Sequence, residues 1–343
     1  MMKKWCIRHD LVPAFIPDIL CSHDHNEKDN EYAILNLHCS SLVQKIAKDD
    51  RIKHIFIVGV GAARAYYGES YTKDVAFNKL SGYTMPDLAN DTLLSFIYDP
   101  SMEALSNSNS RKDYEILEAT IFKQHLQKAY DRFGSEIKPE WKAPQKFCHM
   151  LDEVDAIVAM KKILNGQYTR FITFDYETTG LKPFAKGHSI ASVSIATSPI
   201  HSIAFMITPS TKKLLGKILS CRYIPKVAAN NSFEYKWSKH VENGLGCCVN
   251  NLIFDCVLGA HLLDLRKGVT GVKFQSRVRY GIHGYDKPMK RFLEPTEEET
   301  DKHGANAINT VYKASVRMLL LYDAMDSLVE YWLATDMMEE MGI

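Results

Sequence analysis

Residues 171–183 read "FITFDYETTGLKP", an apolar, β-prone run that ends in two acids and a Thr-Thr-Gly turn. Side chains two apart on a strand share a face, so Asp175 and Glu177 project together. They do so at the carboxyl end of the strand, where α/β sheets place their ligands. Two carboxylates this close repel unless a cation lies between them. Oxygen ligands of this hardness suit magnesium or manganese better than zinc.

Around this strand the pattern is α/β. "LDEVDAIVAMKKIL" reads as a helix ended by Gly166, and "SIASVSIATS" and "HSIAFMIT" as strands of a meander. "KVAAN" is a further strand with a helix after it, and a last long helix spans about 306–340. Upstream, "EYAILNLHCSSLVQKIAKD" and "DYEILEATIFKQHLQKAYDRF" have helical spacing, while "HIFIVGVG" and "TLLSFIYDPS" read as strands. The polar, proline-bearing seam "SEIKPEWKAPQK" separates the blocks, giving domains over 1–140 and 147–343.

Bulk properties narrow the class. The chain has 343 residues, ordinary apolar content and a net charge of +1, so nucleic-acid binding has to rest on local charge. No apolar run approaches the roughly 20 residues of a membrane helix, and the opening segment is broken by Asp10 and two prolines, unlike a secretory signal. Eight cysteines without compact spacing read as reduced thiols, and the expected location is cytoplasmic.

Two further stretches supply partners for the acids. "KVAANNSFEYKWSKH" at 226–240 delivers Asn230 from a strand and Glu234 from the first turn of a helix. "LLLYDAMDSLVEYW" at 319–332 puts Tyr322 and Asp326 at i and i+4 on one helix face. In their order, D-x-E-T-T-G-L, N-x-x-F-E and Y-x-x-x-D, these stretches resemble the DEDD proofreading 3′→5′ exonucleases of the tyrosine subgroup. The segment between them is similar to the exonuclease domains of bacteriophage polymerases of the bacterial polymerase I type. The likeness covers about 150–343. It departs at the second motif, where the family usually carries Asp and this chain has Glu234.

The resemblance implies a ribonuclease H-like fold and a two-metal mechanism with Mg2+ or Mn2+. Two ions about 4 Å apart would clamp the attacking and leaving oxygens at the terminal phosphate. Asp175 would bridge them, Glu177 and Asp326 would complete the first site, Glu234 would hold the second ion, and Tyr322 would orient the attacking water. The product would be a nucleoside 5′-monophosphate, and the substrate a single-stranded or frayed DNA 3′ end. Thr178, Thr179, Gly180 and Leu181 would meet the terminal nucleotide, with Asn230, Phe233, Lys273 and Arg277 as further contacts. The stretch 265–291 interleaves Arg266, Lys273, Arg277, Arg279 and other cations with Phe274, Tyr280 and Tyr285, a mixture that suits a single strand. Asp255 reads as a helix cap or support. The alternative is an exonuclease fold with weak turnover that binds single-stranded DNA or a polymerase.

The first block resembles half of a uracil-DNA glycosylase of the iron–sulfur type over about 15–130. Cys21 and Cys39 precede "HIFIVGVGAARAYYG", and "KLSGYTMP" and "FIYDPS" follow. Asp99 stands where that family places a histidine, and the amino-terminal half of that fold is not matched. The expectation is a non-catalytic relic used for binding or assembly. Cys6, Cys21 and Cys39 are candidate cluster ligands or plain thiols, and His23 and His25 read as surface loop. Polymerases of the type this chain resembles continue into a polymerase domain, whereas 17 residues follow Asp326 here. A separately encoded polymerase is therefore the expected partner. Its docking surface would be the first block and the end of the last helix, with Leu328, Tyr331, Trp332, Met337, Met338 and Met341.

Overall fold

The computed structural model describes residues 52–71, 76–99 and 112–343, together with residues 45 and 48. Cys6, Cys21, Cys39, His23 and His25 lie outside the described residues, as does nearly all of the first expected helix. The chain divides into two compact units, one running to Thr84 and resuming over Asn90–Gly134, the other Ser135–Ile343 with Met85–Ala89. The seam thus joins the second unit. Its Trp141 is buried there, with its ring 5.3 Å from that of Tyr280.

In the first unit, β1 (His54–Val58) runs straight into α1 (Gly59–Tyr67). β2 (Thr84–Asp87) begins at the last residue of this unit's first segment, and β3 (Thr92–Ile97) pairs with β1 in parallel. Gly59 has φ +79°, and a Cβ on it would lie 2.9 Å from the Cβ of Asp99, so the β1–α1 corner admits only glycine. Against Ile97 pack Phe122, Leu126 and Ala129 of α2 (Lys112–Asp131).

The second unit is built on one mixed sheet. Its strands are β4 (Cys148–Leu151), β5 (Ile172–Thr178), β6 (Ile190–Ser198), β7 (His201–Met206), β8 (Lys226–Ala228) and β9 (Leu252–Asp255). The order is β4-β7-β6-β5-β8-β9. The pairs β5–β6 and β6–β7 are antiparallel, and the other three are parallel. Helices cover both faces, and the fold is ribonuclease H-like. The two outer strands, β4 and β9, are additions to the sequence reading. Each is four residues long, too short to show alternation.

The faces differ because strand side chains alternate. Ile172, Phe174, Tyr176, Val193, Ile195 and Phe205 point one way. They bury against Met160 and Ile163 of α3 (Glu153–Leu164), Leu215 and Ile218 of α4 (Pro209–Ser220), and Trp237 of α5 (Asn231–Lys239). Fully burying each such side chain stabilises by about 1.5–3 kcal/mol. The other face carries Thr173, Asp175, Glu177, Ser192, Ser194 and Ser202 and meets the long last helix. Small residues let that helix approach closely. Thr173 Oγ1 donates to Ser327 O at 2.7 Å, and the Ser202 and Ser327 hydroxyls are 2.8 Å apart.

Between sheet and terminus come α6 (Cys256–Leu263), α7 (Val272–Tyr280), α8 (Lys287–Leu293), α9 (Glu297–His303) and α10 (Val316–Met341). α10 starts ten residues later than the 306 expected from sequence. Gly304–Asn306 and Val311–Lys313 form short 3-10 turns instead, and Ser315 caps the helix by accepting from Met318 N. The docking role expected for its end is corrected too. Leu328, Tyr331, Trp332, Met337 and Met338 are buried in the unit's own core, leaving only Met341 partly exposed. No helix among the described residues is long and apolar enough to cross a membrane.

Lys226 opens β8 with no exposed surface. Its ammonium donates to the carbonyls of Cys221 (2.6 Å), Ile224 (2.7 Å) and Asn250 (2.9 Å). Burial lowers its pKa to about 8. The contacts tie the start of β8 to the loops on either side.

Candidate active site

The acid-bearing end of β5 faces α10, so the first and third sequence motifs meet. Ligand oxygens of Asp175, Glu177 and Asp326 all lie within 4.8 Å of one another. Glu177 and Asp326 are buried, and Asp175 is partly so. Burial, then the charge of Asp326, pushes the Asp175 carboxyl up to about 7, with Lys273 opposing. Glu177 is raised well above the usual range, by burial first and then by Asp175 and Asp323. Such a cluster holds its charge only with a cation close by.

The second motif supplies Glu234 from the first turn of α5. It is not one of the three mutually close acids. Its carboxyl is nevertheless raised, by burial and then by the charge of Asp175. Glu234 is 2% exposed, and its Oε2 has no hydrogen-bond partner. A buried carboxylate oxygen without a partner, together with three clustered acids, is the donor set that divalent cations take. The residues present therefore fit a metal centre. Asp255 holds this corner in place. Its Oδ1 accepts from Val257 N and Leu258 N, capping α6, and its Oδ2 accepts from Asn231 N at the start of α5. Asn230 is exposed and Phe233 partly so, beside Glu234.

Tyr322 is buried one turn before Asp326. Burial, then Asp326 and Glu177, drives its phenol pKa upward.

After Glu177 the strand is irregular, and the turn is tied down from two sides. Thr178 Oγ1 donates to Gly180 O, and Thr179 Oγ1 accepts from Ser189 N. Asn309 donates its side-chain amide to Thr178 O and its backbone N–H to Thr179 O. A Cβ on Gly180 would lie 2.3 Å from the ring of His188, so no other residue fits there. Leu181 projects from this fixed turn, 74% exposed.

On α7, Lys273 reaches Asp326 Oδ1, and Arg277 follows one turn later, partly buried. Within the 265–291 stretch some groups are already engaged by the fold. Tyr280 is buried and donates to Asp336, Arg266 pairs with Asp264, and Arg279 pairs with Glu340 and Gln275. Of these, Tyr280 is inside the fold, while Arg266 stays exposed.

Two acids at the site were missed in the sequence reading, and Tyr285 was read there only as a stacking aromatic. Asp323, fully buried, accepts from Ser192 Oγ at 2.6 Å. Glu330, one turn past Asp326, is 1% exposed and its Oε2 has no partner. Tyr285 donates to Asp326 Oδ1 at 2.6 Å. Acids at 323 and 330 inside an otherwise apolar helix were a visible signal. Tyr285 had none.

Comparison with known proteins gives one family, described as 3′-5′ exonuclease, which matches residues 148–342. No curated protein matches the chain significantly. Among solved structures, a nuclease in its apo form is similar at 15% identity and TM-score 0.40, over 56% of this chain and 79% of that one. NrnC of Brucella melitensis with bound Mg2+ is similar at 17% identity and TM-score 0.39, over 57% and 82%. The Nibbler EXO domain of Aedes aegypti is similar at 14% identity and TM-score 0.38, over 57% and 91%.

Proposed function

Since the chain belongs to the 3′-5′ exonuclease family, we propose that it removes nucleoside 5′-monophosphates from single-stranded or frayed DNA 3′ ends, as a proofreader in phage replication. The observation that carries this reading is the acidic cluster, three ligand oxygens within 4.8 Å of one another, together with the partnerless Glu234 Oε2. Asp175, Glu177 and Asp326 would hold one Mg2+ or Mn2+, and Glu234 with Asp175 the second. Bound there, the two ions would stabilise the attacking and leaving oxygens of an in-line displacement at phosphorus.

The chain's own residues do the rest. Tyr322 orients the attacking water. The fixed turn at Thr178, Thr179 and Gly180 faces the terminal nucleotide, and the exposed Leu181 wedges against its base. Asn230 and Phe233 border the same ground, and Lys273 and Arg277 offer positive charge to the backbone phosphate. The first unit is assigned as a non-catalytic, uracil-DNA glycosylase-like module that docks a separately encoded polymerase. Asp99 would repel a departing uracil anion, so no base excision is expected.

The test is digestion of 3′- and 5′-labelled single strands, DNA and RNA in parallel, with Mg2+ or Mn2+ and with chelator. Mononucleotides released from DNA 3′ ends only with metal support the reading. Tight DNA binding without release under every metal would replace it with a binding module.

A further inference from the structure

Asp326 has two carboxylate oxygens, and the fold treats them differently. Oδ1 accepts from Tyr285 OH at 2.6 Å and also pairs with the ammonium of Lys273. Lys273 Nζ in turn lies 3.0 Å from Tyr285 OH, closing a three-membered ring of contacts on one oxygen. That uses both lone pairs of Oδ1. The same ammonium sits over two rings, 4.3 Å from the centroid of Tyr285 and 4.5 Å from that of Tyr322. The two rings are 6.0 Å apart. Lys273 therefore touches both the third-motif acid and the third-motif tyrosine.

We propose that Tyr285 and Lys273 are a positioning pair: they reserve Asp326 Oδ1, so that only Oδ2 faces the ion, and Lys273 couples that carboxylate to the ring of Tyr322. The inference rests on the exonuclease reading and adds a role that none of the three motifs carries. Partners that hold a ligating carboxylate on its far oxygen fix its orientation, and losing them typically costs 10–100-fold in metal affinity or activity. A cation over a tyrosine ring is held by the ring quadrupole, and it fixes the ring reciprocally.

The two members separate experimentally. Mn2+ affinity is measured by calorimetry, and kcat and KM on a labelled single strand at saturating Mn2+. Tyr285→Phe keeps the ring and loses the hydroxyl. It should weaken Mn2+ by about 10-fold or more, while kcat at saturation stays within about threefold of wild type. Lys273→Met removes the second contact on Oδ1 as well as the cation over Tyr322, so it should weaken Mn2+ and also lower kcat at saturation by about 10-fold or more. Lys273→Arg, which keeps the charge over the rings, should recover most of it. Unchanged Mn2+ affinity in Tyr285→Phe overturns the assignment of Oδ1. A loss confined to KM in Lys273→Met makes Lys273 a phosphate contact only and overturns its link to Tyr322. Wild-type protein that neither binds Mn2+ nor releases nucleotide would instead overturn the exonuclease reading itself. Melting curves of all three variants separate misfolding from each outcome.

Discussion

The two faces of the central sheet are made by the same strands and serve opposite ends. Toward α3, α4 and α5 the strands present Phe174, Tyr176, Val193, Ile195 and Phe205, all buried among apolar neighbours. Toward α10 they present Thr173, Asp175, Glu177, Ser192 and Ser194, and the helix answers with Asp323, Asp326 and Glu330. One face holds the sheet together, and the other gathers buried acids that oppose folding when no cation is near. A strand with strict alternation can do both, because each residue commits to one side. The difference teaches that this site is paid for by the apolar face behind it.

That contrast can be broken by substitution on either side. Asp175→Ala or Asp326→Ala should reduce exonuclease rate by more than about 100-fold, beyond the usual cost of losing a ligand's supporting partner. In chelator Asp175→Ala should melt no lower than wild type, since it loses a repelling charge. Asp326→Ala also strips Tyr285 and Lys273 of their partner and should melt lower. Near-wild-type digestion by both would end the two-ion reading. Phe174→Ala, one residue away on the other face, should destabilise by about 3–5 kcal/mol. Below its melting transition it should still degrade DNA, and a urea titration together with the same nuclease assay checks both halves. Glu330→Gln should leave the protein at least as stable in chelator, since burial and then Asp175 already disfavour the charged carboxylate there. Destabilisation by Glu330→Gln would mean that the acid makes a favourable contact.

Tyr322→Phe should slow turnover by about 10- to 1,000-fold with metal affinity unchanged, the scale of one lost positioning hydrogen bond. Calorimetry showing lost metal binding would give the phenol a ligand's role. A further effect is in pH. Asp175 is raised to about 7 by burial and then Asp326, so the folded chain keeps a proton that the unfolded chain releases near its ordinary value of about 4. Its contribution to stability is thus complete below about 4 and is lost as pH rises through about 7, by at most about 1.4 kcal/mol per pH unit. Melting temperature in chelator should fall across that window and flatten when Mg2+ is added. A melting temperature that rises from pH 5 to 7 in chelator would contradict the buried-acid account.

Much of the second unit was legible in the sequence because its signals are local. Asp175 and Glu177 follow from strand alternation, Tyr322 and Asp326 from helical spacing, and Asp255 as a cap from its place before "CVLGAHLL". What escaped depends on long-range contact. Tyr285 meets Asp326 from 41 residues away. The start of α10 was misplaced because 304–313 has helix-compatible residues that are drawn instead into contact with Thr178 and Thr179 through Asn309. The basic stretch was only partly legible for a related reason. Composition counts Arg266, Arg279 and Tyr280 but cannot see that Asp264, Glu340 and Asp336 already hold them.

Lys226 has a consequence of another kind. Its amine is enclosed by three carbonyls and has no exposed surface, so amine-directed reagents have no path to it while the sheet is intact. Labelling at this one position would therefore be a clock for opening of the sheet, readable by mass spectrometry against a background of fast-reacting surface lysines. Because β8 lies between β5 and β9, such a clock would time the exposure of the strand that carries Asp175 and Glu177.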